Sequence, residues 1–238
     1  MNPLQADAHC GPLEAARAMR RRPGFSFLDS AMERGHAASI LACEPDLVLR
    51  GRNWAALEEE LKKRTRGCAG GDFPEGAAIG YVGFDGEFCF AFHERLHVFL
   101  HGENRWINPP EEFEKITTPA DPLRIDFRPQ VEREFFLEMV RRAKDWIAAG
   151  DIYQVCLSHP FFAPPSGRAW DFHEALRRFS PAPYSAFLDT GRSQIVSASP
   201  ECFLKMSGRQ ILTRPIKGTR PRMADPQSDR LSSEELKA

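Results

Sequence analysis

Short apolar runs separated by turn residues dominate the first hundred positions. Phe25 to Asp29 and Ser39 to Cys43 have strand length, and Asp46 to Leu49 continues the pattern. Ala77 to Phe84 and Phe88 to Phe92 are apolar and aromatic, and Asp85-Gly86 between them predicts a turn joining two strands. Helical spacing first occurs at Trp54 to Lys63. There Trp54, Leu57 and Leu61 share a face, and Glu58, Glu59, Lys62 and Lys63 can pair one turn apart. Gly67 to Gly76, rich in glycine, is expected to be a loop.

The clearest helix is Val131 to Ala149. Phe135, Phe136, Met139, Val140, Ala143, Trp146 and Ile147 make a stripe expected to face a core, and Gly150 suits the position after the last turn. A second helix is predicted over Ala169 to Phe179. Strand-like runs follow at Ser185 to Asp189, Gln194 to Ser199, Cys202 to Met206 and Gln210 to Arg214. Ser232-Ser-Glu-Glu235 has the spacing of a capping box and predicts a last helix beginning at Ser232. On that reading the chain is cut about one turn into a helix, which is not stable alone. Asn108 to Gln130 contains Pro109, Pro110, Pro119, Pro122 and Pro129 and reads as an extended connection. The expected organisation is therefore an N-terminal region (1–115), a proline-rich connection (116–130) and a second region (131–238).

Composition adds mainly exclusions. With 238 residues the chain is long enough for a substantial core, and a net charge of -1 offers no broad basic field for nucleic acid or a membrane surface. No apolar run has the roughly 18 residues of a membrane span, and Met1 to Pro12 lacks the apolar stretch of a secretory leader. A cytoplasmic protein is expected. The six cysteines are scattered with no C-x-x-C pair, so they read as free thiols rather than metal ligands. His93-Glu-Arg-Leu-His97 matches the H-E-x-x-H zinc signature, which needs a helix to bring both histidines to one face. Here it follows the strand-like Phe88 to Phe92 and reads as a surface loop instead.

The densest chemistry is Thr213-Arg-Pro-Ile-Lys-Gly-Thr-Arg-Pro-Arg222. Arg214, Lys217, Arg220 and Arg222 supply four cations, two prolines stiffen the backbone, and Gly218 permits close approach. Such a segment can present a lysine and backbone N–H groups to a small anion, or it can be a solvated basic loop.

Four segments carry a resemblance: Ala149-Gly-Asp-Ile-Tyr-Gln-Val155, Ser180-Pro-Ala-Pro-Tyr-Ser-Ala-Phe187, Ser197-Ala-Ser-Pro-Glu-Cys-Phe203 and Thr213 to Arg222. In order and spacing they resemble successive motifs of the chorismate-binding family. Its members include anthranilate, aminodeoxychorismate, isochorismate and salicylate synthases. Tyr81-Val-Gly-Phe-Asp85 resembles an N-terminal motif of the first two. The resemblance implies an α+β fold: two antiparallel sheets face each other with helices outside, as in anthranilate synthase component I, and incomplete in this chain.

Lys217 stands where aminodeoxychorismate synthases commonly carry lysine and anthranilate synthases alanine. The resemblance implies that Lys217 is a nucleophile toward chorismate, with Gly218 and Thr219 binding substrate. A lysine of ordinary pKa is only about 0.04% neutral at pH 7, so that role needs burial or neighbouring cations to lower its pKa. Alternatively, Lys217 pairs with a substrate carboxylate. The resemblance further implies Mg2+, with its ligands and the catalytic histidine beyond Ala238, and a glutamine amidotransferase, separate or fused, as ammonia source. It leaves this segment inactive alone. A tryptophan pocket is implied at Leu28, Ser30, Pro183, Tyr184 and Ser185; packed sheet is the ordinary alternative. Anthranilate synthase, or a non-catalytic half-fold binding tryptophan or a partner, remain the other readings.

Overall fold

The computed structural model describes residues 10–30, 37–65, 73–111, 125–164, 168–215 and 221–235. In chain order the elements are α1 (Pro12–Met19), β1 (Ser26–Asp29), β2 (Ala38–Ala42), β3 (Leu47–Gly51), α2 (Trp54–Thr65), β4 (Ala77–Val82), β5 (Phe88–His93), β6 (His97–Leu100) and β7 (Arg105–Ile107). They continue with β8 (Arg128–Pro129), α3 (Arg133–Ala149), β9 (Phe161–Phe162), α4 (Ala169–Phe179), β10 (Tyr184–Asp189), β11 (Gln194–Ser199), β12 (Cys202–Ser207), β13 (Gln210–Arg214) and α5 (Pro226–Glu235). Two compact units result: Met1–Ile116 with Leu176–Ala238, and Thr117–Ala175.

The first unit is layered. Its larger sheet has the order β11-β10-β1-β2-β6-β7, and its smaller one β3-β5-β4. All pairings are antiparallel. Alternation along each strand sends side chains to opposite faces. Leu28, Ile40, Ala42, Val98 and Leu188 of the larger sheet meet Ile79 of the smaller one in a shared apolar cluster, so the two sheets face each other. On the outer side of the smaller sheet, Phe88 and Phe92 pack with Leu57 of α2. On the larger sheet, α1 lies against β2 and buries Ala15, Ala16 and Met19. Phe25, Phe27, Leu41 and Phe187 are fully or almost fully buried. Removing each from water stabilises the fold by about 1.5–3 kcal/mol.

α2 carries the expected ion pairs one turn apart, Lys62 with Glu58 and Lys63 with Glu59 at 3.0 Å. The β4–β5 turn falls at Asp85-Gly86, where Gly86 adopts φ 81° and the Asp85 carboxylate accepts the Glu87 N–H at 3.1 Å. β12 and β13 form a separate hairpin with Phe203, Met206 and Ile211 well exposed.

Three expectations are corrected. His93 to His97 is a surface loop only at Glu94 and Arg95. His93 ends β5 in the smaller sheet and His97 begins β6 in the larger, so the segment is a corner between sheets in which His93, Leu96 and His97 are buried and Glu94 and Arg95 are exposed. The last helix begins at Pro226, not Ser232. Asp225 accepts the Ser228 N–H at 2.7 Å, and a proline in the first turn is well tolerated. Ser232 lies inside that helix and donates to the Pro221 carbonyl at 3.3 Å. Finally, the apolar stripe of α3 is not a core stripe. Only Ala143 is buried, while Phe135, Trp146 and Ile147 are exposed. Among its described residues, the second unit has only the two-residue strands β8 and β9 as sheet, too little to cover a 17-residue helix. Local aromatic contacts, such as Phe136 with His159 at 5.2 Å, bury part of the stripe. α1, β6 and β7 had no counterpart in the predicted elements.

Candidate functional site

β1 and β10 run side by side at the centre of the larger sheet, with Leu28 opposite Ala186 and Asp29 opposite Ser185. This pairing brings Leu28, Ser30, Pro183, Tyr184 and Ser185 to one end of the two strands. The Ser30 hydroxyl lies 3.0 Å from the Ala38 carbonyl and 3.4 Å from that of Pro183. Ser185 is buried and donates to the Ala182 carbonyl at 3.2 Å. Tyr184 is 42% exposed.

Beside these residues lies a polar network that the pattern analysis did not flag. The Asp29 side chain is fully buried. It accepts from the Arg177 Nε at 2.6 Å and from the Ser39 hydroxyl at 2.8 Å. Ser39 Oγ also lies 2.8 Å from His101 Nε2 and 3.4 Å from the Ser30 N–H. Alternation turns Asp29 to the face opposite Leu28, so its carboxylate is committed to the network. The usable signal was a lone acid closing the apolar run Phe25 to Asp29. Its cation sits 148 residues further along.

Tyr184 links this end of the sheet to the basic segment. A hydrogen bond to the Cys202 side chain, with partial burial, raises the Tyr184 phenol above its ordinary pKa, while Arg214 pulls the other way. Arg214 pairs across the hairpin with Cys202, and the Thr213 hydroxyl donates to the Cys202 carbonyl at 3.5 Å. Lys217, Gly218 and Thr219 lie outside the described residues, as do Ile216 and Arg220. Both flanks are described. β13 leads in, and after the segment Arg222 pairs with Asp229 of α5 at 3.0 Å, while the Met223 N–H donates to the same carboxylate at 3.0 Å.

The H-E-x-x-H histidines are held apart from any such chemistry. The His93 Nδ1–H donates to the Cys43 carbonyl at 3.2 Å, and the His97 Nδ1–H to that of Asn108 at 2.7 Å. Burial lowers both imidazoles from the ordinary 6.5. Among the described residues no group of three or more His, Cys, Asp or Glu side chains could hold a metal ion. No described helix is long and apolar enough to cross a membrane.

Residues 93–238 match the model of the family described as chorismate binding enzyme. That is more than half of the chain, and the chain belongs to this family. A curated relative, anthranilate synthase component 1 of Thermus thermophilus, is 47% identical over 113 residues, covering 48% of this chain and 24% of the relative. Aminodeoxychorismate synthase component 1 of Salmonella typhimurium is 40% identical over 127 residues, covering 51% of this chain and 28% of the relative. The matched part thus spans about a quarter of each relative's length. Among solved structures, anthranilate synthase component I of Streptococcus pneumoniae superimposes with a TM-score of 0.66 at 22% identity, over 100% of this chain and 64% of that one. That likeness establishes the fold: α+β, built on antiparallel sheets.

Proposed function

We propose that this chain is part of an aminodeoxychorismate synthase, which replaces the C4 hydroxyl of chorismate with an amino group on the route to 4-aminobenzoate and folate. The observation that carries the reading is Lys217, set in a four-cation segment within the matched family region. In this proposal the free Lys217 amine bonds to C2 of chorismate, both conjugated ring double bonds shift (C1=C2 to C1=C6 and C5=C6 to C4=C5), and the C4 hydroxyl leaves as water after taking a proton. Ammonia then bonds to C4, both double bonds shift back, and the C2–N bond breaks to release the lysine unchanged. One difficult substitution thereby becomes two easier ones. Gly218 and Thr219 hold substrate through a backbone N–H and a hydroxyl.

Ammonia comes from a glutamine amidotransferase, as a subunit or fused domain, in the cytoplasm. Mg2+ belongs to the proposal as a counter-charge for substrate carboxylates. Among the described residues no group of three or more His, Cys, Asp or Glu side chains could hold it. The end of the β1–β10 pair, with Leu28, Ser30, Pro183, Tyr184 and Ser185, is proposed as a tryptophan pocket. A second reading, anthranilate synthase component 1, is favoured by the 47% identity to the Thermus thermophilus relative.

The test is product analysis. Intact protein from its native source receives chorismate, Mg2+ and an ammonium salt, and products are separated and weighed by mass spectrometry. The expected product is 4-amino-4-deoxychorismate, sharply reduced in Lys217→Ala. Anthranilate from the unaltered protein would move the assignment to the second reading. Undiminished 4-amino-4-deoxychorismate from Lys217→Ala would reject the nucleophile role.

A further inference from the structure

Within the first unit a cavity of about 440 Å³ opens between the two facing sheets, at the opposite end of β1 from Ser30. Ser26 and Leu188, a cross-strand pair, line it from the larger sheet. Val48, Ile79, Cys89 and Ala91 line it from the smaller one, where Val48 and Ile79 both pair with Ala91. Facing sheets pack about 10 Å apart, and side chains from both must fill the space. Here Ser26, Cys89 and Ala91 are too small to do so. Gly80 adds no side chain and has no room for one, since a Cβ there would lie 1.9 Å from the Cys89 carbonyl oxygen.

The rim is firmly built. Glu44 holds a left-handed conformation at φ 52° and donates its N–H to the Pro23 carbonyl at 2.7 Å. A Cβ on Gly24, at φ 61°, would lie 2.5 Å from the Pro45 ring. A non-glycine residue held in that region is strained, and such strain gathers at functional sites.

The lining is apolar on most sides, and its charged groups are Arg50, Glu44 and Asp189. Arg50 lines the cavity and spends one guanidinium N–H on the Thr190 carbonyl. Its remaining donors can meet an anion. Arg192, in the turn after β10, adds a second positive charge that acts at Cys89 together with that of Arg50. Two carboxylates also line the space, Glu44 and Asp189. Asp189 is engaged by the Gly191 N–H at 2.8 Å and the Gln194 amide at 3.5 Å. A ligand with two anionic groups would meet Glu44 or Asp189, whereas one with a single anionic group can face Arg50 alone.

We propose that this inter-sheet cavity is a binding site for a small planar monocarboxylate, its apolar body between Val48, Ile79 and Leu188 and its carboxylate on Arg50. The volume suits a small organic ligand, and an arginine fork matches a carboxylate in shape and charge. The site lies at the opposite end of β1 from the proposed tryptophan pocket.

The test uses the full 238-residue chain, 13C-labelled at Val, Ile and Leu methyls, with benzoate as probe and neutral benzamide as control. Benzoate is expected to shift the Val48, Ile79 and Leu188 methyls saturably and more tightly than benzamide. Arg50→Gln should weaken benzoate about tenfold, the scale of one charge-assisted hydrogen bond, and leave benzamide unchanged. Arg50→Lys guards against a folding artefact and should retain part of the preference for benzoate. The proposal fails if no saturable shift is seen, if the shifts centre on Leu28 instead, or if Arg50→Gln binds benzoate as the unaltered chain does.

Discussion

Replacing Arg177 with methionine would leave the Asp29 carboxylate buried with one of its two protein partners gone. Asp29 has a fully buried side chain, and Arg177 is 23% exposed. Ser39 would still donate to Oδ1, but Oδ2, now facing Arg177 Nε at 2.6 Å, would lose its cation. Removing one member of a buried pair generally costs about 3–5 kcal/mol, because a charge stays out of water uncompensated. The partial exposure of Arg177 places the expected loss near the lower end, about 3 kcal/mol. For a chain of this length that corresponds to a fall in Tm of roughly 6–12 °C. Urea denaturation followed by circular dichroism gives the free energy directly. The double variant Asp29→Leu with Arg177→Met removes both charges and should return to within about 1 kcal/mol of the unaltered chain, since apolar replacement of a whole buried pair is often neutral. The coupling energy should be at least roughly 2 kcal/mol, larger by whatever Asp29→Leu alone costs. A loss below about 0.5 kcal/mol for Arg177→Met, the range of exposed ion pairs, would refute the reasoning.

Acid should destabilise the sheet-to-sheet corner. Folded His93 and His97 are held below the ordinary 6.5, so as pH falls through that value the unfolded chain binds protons before the folded one does. Stability should therefore be full above 6.5 and decline below it. Denaturation midpoints at pH 7.5 and 5.5 should converge in a His93→Gln, His97→Gln variant relative to the unaltered chain; an equal acid loss in both would count against the corner. Gly80→Ala should destabilise by about 2 kcal/mol or more in thermal melts, because the new Cβ meets the Cys89 backbone. Asp225→Ala should speed hydrogen exchange at the Ser228 and Asp229 amides and leave β1 and β10 protected. Protection unchanged at Ser228 would mean that Asp225 does not cap α5.

Most regular elements were legible because their periods were clean. α2, α3 and α4 show a 3.6-residue repeat, and β10 to β13 are short runs between obvious breaks. The misses have specific causes. α1 buries one proline, two alanines and one methionine, a weak apolar signal in eight residues. At α5, two capping patterns competed. Ser232-x-x-Glu235 matched by letter, but Asp225-Pro226 had the stronger physics: a carboxylate acceptor followed by a residue with preset φ. Around the candidate site, the converging ends of β1 and β10 were readable from two motifs. The Asp29–Arg177 pair was not, because nothing local ties a strand acid to a helix cation so far away. Lys217, Gly218 and Thr219 were singled out by motif alone, and the described residues supply only their flanks.

The pairing of β1 with β10 joins Phe27 to Phe187. On a ribosome adding roughly 5–20 residues per second, Phe27 waits about 8–30 seconds for its partner to be made. Meanwhile β1 can zip only to β2, and its other edge, flanked by Phe25 and Phe27, stands open. An open apolar edge is a template for unwanted pairing. Nascent chains stalled before Tyr184 should consequently be the aggregation-prone species. Synonymous codons that slow translation between β2 and β10 would lengthen that vulnerable interval while leaving the finished protein unchanged.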